Sequence, residues 1–338
     1  MNELLTRLVG AHRCAELLTQ VHVPPQVASG DQPGRATVAM ALGLVLFEDL
    51  LARVPSGARY VAAQREQGRR VVFDHGAVRT VDWHRTGQLP RGAERFRRLL
   101  VPLGYQEVGR YPLEGIHMTG RVFTHAELPE DLPQYFVSEL HVERLDGQAQ
   151  RAVTRTVGES VDPLDDEVLA LLGEVAGRGW MTLDSAAHLV GMLASCFGRH
   201  HPEPRLEDYH TLLSRSAEMA WIATEGNAFN HATDRVLDVE ALAEALREGW
   251  PSKDAWLLKD TVERSRSGRV RQTALRADPV VRWFRDAQRV RVAREVPGSF
   301  FEFISRDTAP DGRLDLTFDA GNVQGIFRMT ATDPDLPR

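Results

Sequence analysis

The chain has 338 residues, 43% of them hydrophobic and 26% charged, a composition that suits a soluble globular protein with a sizeable core. Its net charge of -6 argues against a general nucleic-acid binder, and its two cysteines, Cys14 and Cys196, are too few for a disulfide framework and lack thiolate metal-site spacing. The longest apolar run, Val38 to Phe47, is about half of what a bilayer span needs, and Met1 to Val21 does not read as a secretory signal. A cytoplasmic location with neither membrane nor nucleic acid as partner is therefore expected.

Residues 1–70 read as helical: Leu4, Leu5, Leu8 and Val9 have helical spacing, and 36–54 continues the pattern beyond a Pro/Gly/Gln/Ser loop from Pro24 to Gly34. The period then changes. Val71-Val72-Phe73 reads as a strand and Arg91 to Val101 as a helix with Phe96, Leu99 and Leu100 on one face. Three strand-like runs follow, Tyr105–Tyr111, Ile116–Thr124 and Tyr135–Val142. Residues 162–221 are mostly helical and read as an insertion. The order then returns less cleanly: Phe229 to Arg235, a helix at Val239–Leu246, and strands at Val270–Leu275, Ser299–Ser305 and Leu314–Phe318. The expected organisation is a helical segment (1–70), a first module (71–150), a helical insertion (151–225) and a second module (226–335). From Arg264 to Arg294, ten arginines face only Asp278 and Asp286. They read either as solvated faces of a helix and strand or as a positive potential that draws in a small anion.

The segment Phe73-Asp74-His75-Gly76-Ala77-Val78-Arg79 returns 156 residues later as Phe229-Asn230-His231-Ala232-Thr233-Asp234-Arg235. A duplicated module supplying one histidine from each half can bring both to one point, and a metal ion is the usual reason for it. Asp74 and Asn230 precede the histidines, but neighbours on a strand face opposite ways, so neither is expected to support the imidazole beside it. Cys196, His200, His201 and His210 cluster in sequence without matching a strong zinc pattern, and His117 and His125 read as strand-edge residues. No Walker loop, dinucleotide fingerprint or G-x-S-x-G elbow is present.

A duplicated strand-helix-three-strand module resembles the vicinal oxygen chelate superfamily, an α+β fold in which two such βαβββ modules enclose a metal. That resemblance implies His75, His231 and Glu302 as ligands, Glu302 coming from Ser299-Phe300-Phe301-Glu302-Phe303-Ile304-Ser305. A lone carboxylate in so apolar a strand is costly without a partner, and a metal supplies one. Two histidines and one carboxylate leave positions open, as in non-haem Fe(II) oxygenases. Glu139, in Phe136-Val137-Ser138-Glu139-Leu140, reads as the first-half counterpart of Glu302. It is expected near the metal, and as a fourth ligand it would make the site glyoxalase-like.

Four segments carry a closer resemblance: Phe73-Asp74-His75-Gly76-Ala77-Val78-Arg79 with Thr80, Leu100 to Gly109, Asn230-His231-Ala232-Thr233, and Phe301-Glu302-Phe303. They are similar to the 2-oxoadipate dioxygenase/decarboxylase family, also called 2-hydroxyglutarate synthases. The resemblance implies Fe(II) held by His75, His231 and Glu302, with Arg79 contacting a 2-oxo acid and dioxygen as co-substrate. Arg235, the repeat's counterpart of Arg79, is expected to be structural. A distal-carboxylate pocket would fall near Asn322-Val323-Gln324, where no match is evident. A glyoxalase-type lyase or isomerase and a small-ligand binding module remain as alternatives.

Overall fold

The computed structural model describes residues 1–28, 30, 32–251 and 256–321. Five helices open the chain: α1 (Asn2–Val9), α2 (Ala11–Gln20), α3 (Pro25–Ala28), α4 (Arg35–Arg53) and α5 (Pro55–Glu66). The first module is β1 (Phe73–Asp82), α6 (Glu94–Leu100), β2 (Tyr105–Leu113), β3 (Met118–His125) and β4 (Gln134–His141). A helical insertion follows, α7 (Gly147–Val157), α8 (Asp166–Arg178), α9 (Leu183–Ser195), α10 (Leu206–Leu213) and α11 (Ala217–Glu225). The second module is β5 (His231–Arg235), α12 (Val239–Arg247), β6 (Glu263–Arg264), β7 (Val270–Ala274) and, after a hairpin of β8 (Pro279–Arg285) and β9 (Arg291–Pro297), β10 (Phe300–Arg306).

The two modules form one eight-stranded sheet in the order β2-β3-β4-β1-β5-β10-β7-β6. In each module the first strand pairs in parallel with the last, β1 with β4 and β5 with β10, and the modules meet where β1 runs antiparallel to β5. The duplicated α+β architecture read from the sequence is therefore present, curled so that the two histidine strands lie side by side at its centre.

Both faces of the sheet are covered, which explains why β1 is buried along nearly its whole length. The N-terminal helices pack on the convex face. Phe47 of α4 lies 5.1 Å from Phe73 and 6.0 Å from Phe301, and Tyr60 of α5 lies 4.7 Å from Phe303. Gly57 allows this approach, since a Cβ there would sit 2.9 Å from the Phe301 ring. A second apolar cluster fills the concave side, joining Ala77, Val81, Phe136 and Leu140 to Ala152, Trp221 and Phe284 from α7, α11 and β8. Among the described residues no helix is long and apolar enough to cross a membrane.

Two expectations need correction. Residues 314–318 form no strand: only Leu314 makes an isolated bridge, with Thr308, and the carbonyls of Asp315 and Thr317 are taken by the Arg306 side chain instead of a ladder. The third strand of the second module is instead the two-residue β6, at the sheet edge. The arginine-rich stretch holds strands and no helix among its described residues, and its charges are largely matched by acids elsewhere. Arg282 grips Glu225 at 2.6 and 2.7 Å, Arg271 grips Asp307 at 2.7 and 2.8 Å, and Arg264 pairs with Glu240. It is therefore not a free basic patch. The segment Asn322-Val323-Gln324 lies outside the described residues.

Candidate metal centre

His75 is in β1, His231 opens β5 and Glu302 is in the middle of β10. The register explains why they meet. His75 is paired across the central seam with Thr233, and Thr233 is paired on its other side with Glu302. Paired residues point to the same face, as do residues two apart, so His231 joins the other two on the concave side. A nitrogen or oxygen from each of the three residues lies within 4.8 Å of the others. His231 Nε2 is 3.2 Å from Glu302 Oε2, and His75 Nε2 is 4.0 Å from Glu302 Oε1.

The hydrogen bonds around the imidazoles settle which nitrogens face the cavity. His75 Nδ1 donates to Asp74 Oδ1 at 2.8 Å and His231 Nδ1 to Asn230 Oδ1 at 3.2 Å, so each Nε2 carries its lone pair inward. Thr233 Oγ1 lies 3.1 Å from His75 Nε2. Glu302 is 1% exposed and, among the described residues, neither of its oxygens has a hydrogen-bond partner, despite the short approach to His231. Burial, aided by Asp74, pushes its carboxyl well above the usual range. Burial also drives His231 well below the usual imidazole range, with His75 and Arg79 adding to the effect, and lowers His75 against the pull of Asp74. Two neutral imidazoles and an orphaned carboxyl thus converge in a buried spot. Such a donor set is poor by itself and fits a divalent cation.

The support given by Asp74 and Asn230 corrects the expectation from strand alternation. The pairing of β1 with β5 shifts between Phe73 and His75, so Asp74 is the extra residue of a bulge and swings to the side of its neighbour. Asn230 precedes β5, so the pleat does not govern it. The shared acceptor immediately before each histidine was the available signal. Asp74 is itself held by Arg306, whose Nε and Nη2 both reach it at 2.9 Å. Although burial works to raise the Asp74 carboxyl, Arg306 and His75 hold it well below the usual range.

Glu139 is not near this site. Its Oε2 accepts from the Ala93 amide at 2.8 Å and its Oε1 from Arg121 Nε at 2.5 Å, on the opposite face of β4. The register also shows that it is not the counterpart of Glu302. Gln134 is paired with His75 as Phe300 is with His231, so the position two residues on, equivalent to Glu302, is Phe136. The pseudo-symmetric position therefore holds a phenylalanine, and Glu139 supplies no fourth ligand.

Arg79 is four residues beyond His75 on the same face, 1% exposed, and its guanidinium carbon is 5.0 Å from the Trp221 ring centre. Burial lowers it to about 10, with Glu218 opposing, so it keeps its charge at neutral pH. It lines the same cavity as the three convergent residues, together with Phe136, Ser138, Asn230, Gln272 and Phe318. Arg235 instead donates to the Glu130 carbonyl at 3.1 Å, a structural contact. The cysteine-histidine cluster does not assemble: His200 Nε2 meets the Cys196 carbonyl at 3.2 Å, and His201 Nε2 meets the Ala223 carbonyl at 3.0 Å. Burial pushes the Cys196 thiol up to about 12. His125 is buried against Tyr105, and His117 ends a 3-10 turn with a left-handed backbone. Neither lines the cavity.

The profile of the 2-oxoadipate dioxygenase/decarboxylase family matches residues 46–320, which span the sheet, the helical insertion and all three convergent residues. The chain belongs to that family. A Ralstonia eutropha JMP134 protein described as belonging to the glyoxalase superfamily is 50% identical, with TM-score 0.90 over 95% of this chain and 98% of that one. The hydroxyglutarate synthase of Oryza sativa, solved in complex with 2-oxoadipate, is 19% identical, with TM-score 0.67 over 93% and 96%. The Pseudomonas putida hydroxyglutarate synthase, also with 2-oxoadipate, is 18% identical, with TM-score 0.60 over 89% and 74%. At these low identities the two synthases share the fold of this family member. No curated protein sequence matches the chain.

Proposed function

We propose that the chain is a non-haem Fe(II)-dependent dioxygenase that decarboxylates a 2-oxo acid, with 2-oxoadipate and dioxygen giving 2-hydroxyglutarate and carbon dioxide. The observation that carries this reading is the convergence of His75 Nε2, His231 Nε2 and an orphaned Glu302 carboxyl in a chain of this enzyme family. His75, His231 and Glu302 would hold the iron and leave positions free for two co-substrates. When bound, the iron would supply the redox chemistry of decarboxylation and hydroxylation.

The remaining steps fall to the chain itself. Arg79 presents a planar fork that grips a carboxylate through parallel hydrogen bonds and fixes its orientation. Asn230 offers Nδ2, a buried donor with no partner among the described residues, at the cavity wall. Phe136 and Phe318 keep water from the reacting atoms. Arg306 and Asp74 cancel in charge, and a divalent ion with Arg79 outweighs Glu302 by two charges, which suits a dicarboxylate. The two cysteines are free and buried, and a cytoplasmic setting is part of the proposal.

The test is oxygen consumption by iron-reconstituted protein across a panel of 2-oxo acids, with product analysis. Uptake matched by carbon dioxide and a hydroxy acid one carbon shorter supports the reading. Turnover of a thiohemiacetal without oxygen would favour a lyase, and binding without turnover a ligand-sequestering module.

A further inference from the structure

Arg306 ends β10 four residues beyond Glu302 and projects from the same face of the strand. Its side chain is fully enclosed and all five of its N–H groups find acceptors. Nε and Nη2 bind the two oxygens of Asp74 at 2.9 Å each, and Nη2 also reaches Gln134 Oε1 at 3.3 Å. Nη1 donates to the carbonyls of Asp315 at 2.9 Å and Thr317 at 3.0 Å. These acceptors come from β1, from β4 and from the segment after β10. A structural ion pair would need only the first.

What lies at the two ends of this fork gives it a role. Through Asp74 it reaches the imidazole of His75, and through Asp315 and Thr317 it seats Phe318, whose ring meets His75 edge-on at 4.9 Å and packs on Phe136 at 5.1 Å. The Phe318 amide is fixed in turn by Tyr111 Oη at 3.1 Å. Phe318 thereby forms one wall of the cavity that His75, Arg79, His231 and Glu302 also line. The other lining residues lie on β1, β4, β5, β7 and β10 or, as Asn230, directly before β5, so Phe318 is the wall contributed by the segment after β10.

We propose that Arg306 is a positioning residue that couples closure of the cavity to the orientation of His75, holding Asp74 with one edge of its guanidinium and the Asp315–Thr317 backbone with the other. This inference rests on the reading of His75, His231 and Glu302 as a metal centre. It implies that a substrate displacing Phe318 is sensed at His75 through one side chain, and that lysine, with a single ammonium, cannot serve both ends.

The test uses full-length protein stripped of metal by chelation and titrated with Co²⁺ alone, with amide hydrogen exchange of residues 315–318 followed in parallel. Wild type is expected to take up one Co²⁺ per chain. Arg306→Lys should weaken Co²⁺ binding about 10- to 100-fold, the range for losing the outer partner of a ligand, and should speed exchange at Phe318. Asp74→Asn should weaken Co²⁺ comparably yet leave that exchange slow, because Arg306 still holds the carbonyls. The double variant should bind Co²⁺ no worse than Arg306→Lys, since both changes cut the same link. Wild-type Co²⁺ affinity in folded Arg306→Lys, or unchanged exchange at Phe318, overturns the coupling. If Arg306→Lys does not fold, Asp74→Asn with wild-type affinity overturns it equally. Failure of wild type to bind Co²⁺ refutes the metal centre itself and the inference with it, and that result is read before any variant is compared.

Discussion

Glu302 is the residue whose burial makes least sense for stability alone, and replacing it with glutamine separates stability from function. Its carboxyl is 1% exposed with both oxygens unpartnered among the described residues, so the metal-free fold keeps either an unsolvated charge or a proton it would lose in water. An unsatisfied buried group costs about 1–3 kcal/mol, more when charged. In Glu302→Gln the charge is gone and the amide can donate to the inward lone pair of His231, 3.2 Å from Oε2 in the wild type. The metal-free variant should therefore be more stable than wild type by about 1–3 kcal/mol, read as a higher midpoint in chemical denaturation with unchanged slope. Adding Co²⁺ should reverse the order. A ligand at 100 times its Kd stabilises by about 2.7 kcal/mol, a gain open to wild type and closed to a variant lacking the anionic donor. A metal-free Glu302→Gln less stable than wild type, or equal stabilisation of both by Co²⁺, would refute the argument.

Other outcomes follow from the same geometry. Arg79→Lys should keep the fold and metal content but lose roughly 30-fold or more of kcat/KM for every 2-oxo acid tested, taking the low end of about 2–5 kcal/mol for a buried charge partner; near-native kinetics would place the carboxylate anchor elsewhere. Gly76→Ala puts a Cβ 2.4 Å from the buried Phe229 ring, two residues before His231, so it should destabilise by about 1–3 kcal/mol and weaken Co²⁺ binding; wild-type denaturation and affinity would contradict this. Asp234 shows the expected pH dependence. Burial pushes its carboxyl up to about 7, against hydrogen bonds from Tyr60 and the Val72 amide. A raised value means that folding favours the protonated form. Its contribution is therefore fully present below the ordinary 3.8 and is lost as pH rises towards 7, with a ceiling of about 4 kcal/mol. Asp234→Asn should flatten the stability profile across that window, and profiles that stay parallel from pH 4 to 8 would sink the assignment.

The fold was legible where two levels of signal agreed. The repeated histidine segment and the recurring strand-helix-strand order both pointed to a duplicated sheet, and α6 and β2 to β4 lie close to where periodicity placed them, whereas β1 starts at Phe73, where the strand read from Val71 to Phe73 ended. The second module was harder, because β6 has two residues and the β8–β9 hairpin interrupts it. Neither feature leaves a period long enough to read. At the site, Arg79 shares a face with His75 because alternation holds beyond the bulge, and Asp74 was misjudged because alternation fails within it. Glu139 was misaligned with Glu302 because glutamate was matched to glutamate. Counting instead from the residue paired with each histidine leads to Phe136, and that pairing is a tertiary fact. Arg306 was passed over because an arginine at a strand end carries no local pattern; its five acceptors come together only on folding.

Phe136 also bears on how such a centre could arise. A symmetric ancestor with the same residue in both halves would carry either two carboxylates, saturating the ion with protein ligands, or two aromatics, leaving it with imidazoles alone. Divergence of the two copies at that one sheet position yields a third state, a lopsided cup with a hard anionic wall on one side and an inert greasy wall on the other. The repeat supplies the frame, and the difference between its halves at that one position sets an apolar ring opposite the carboxylate.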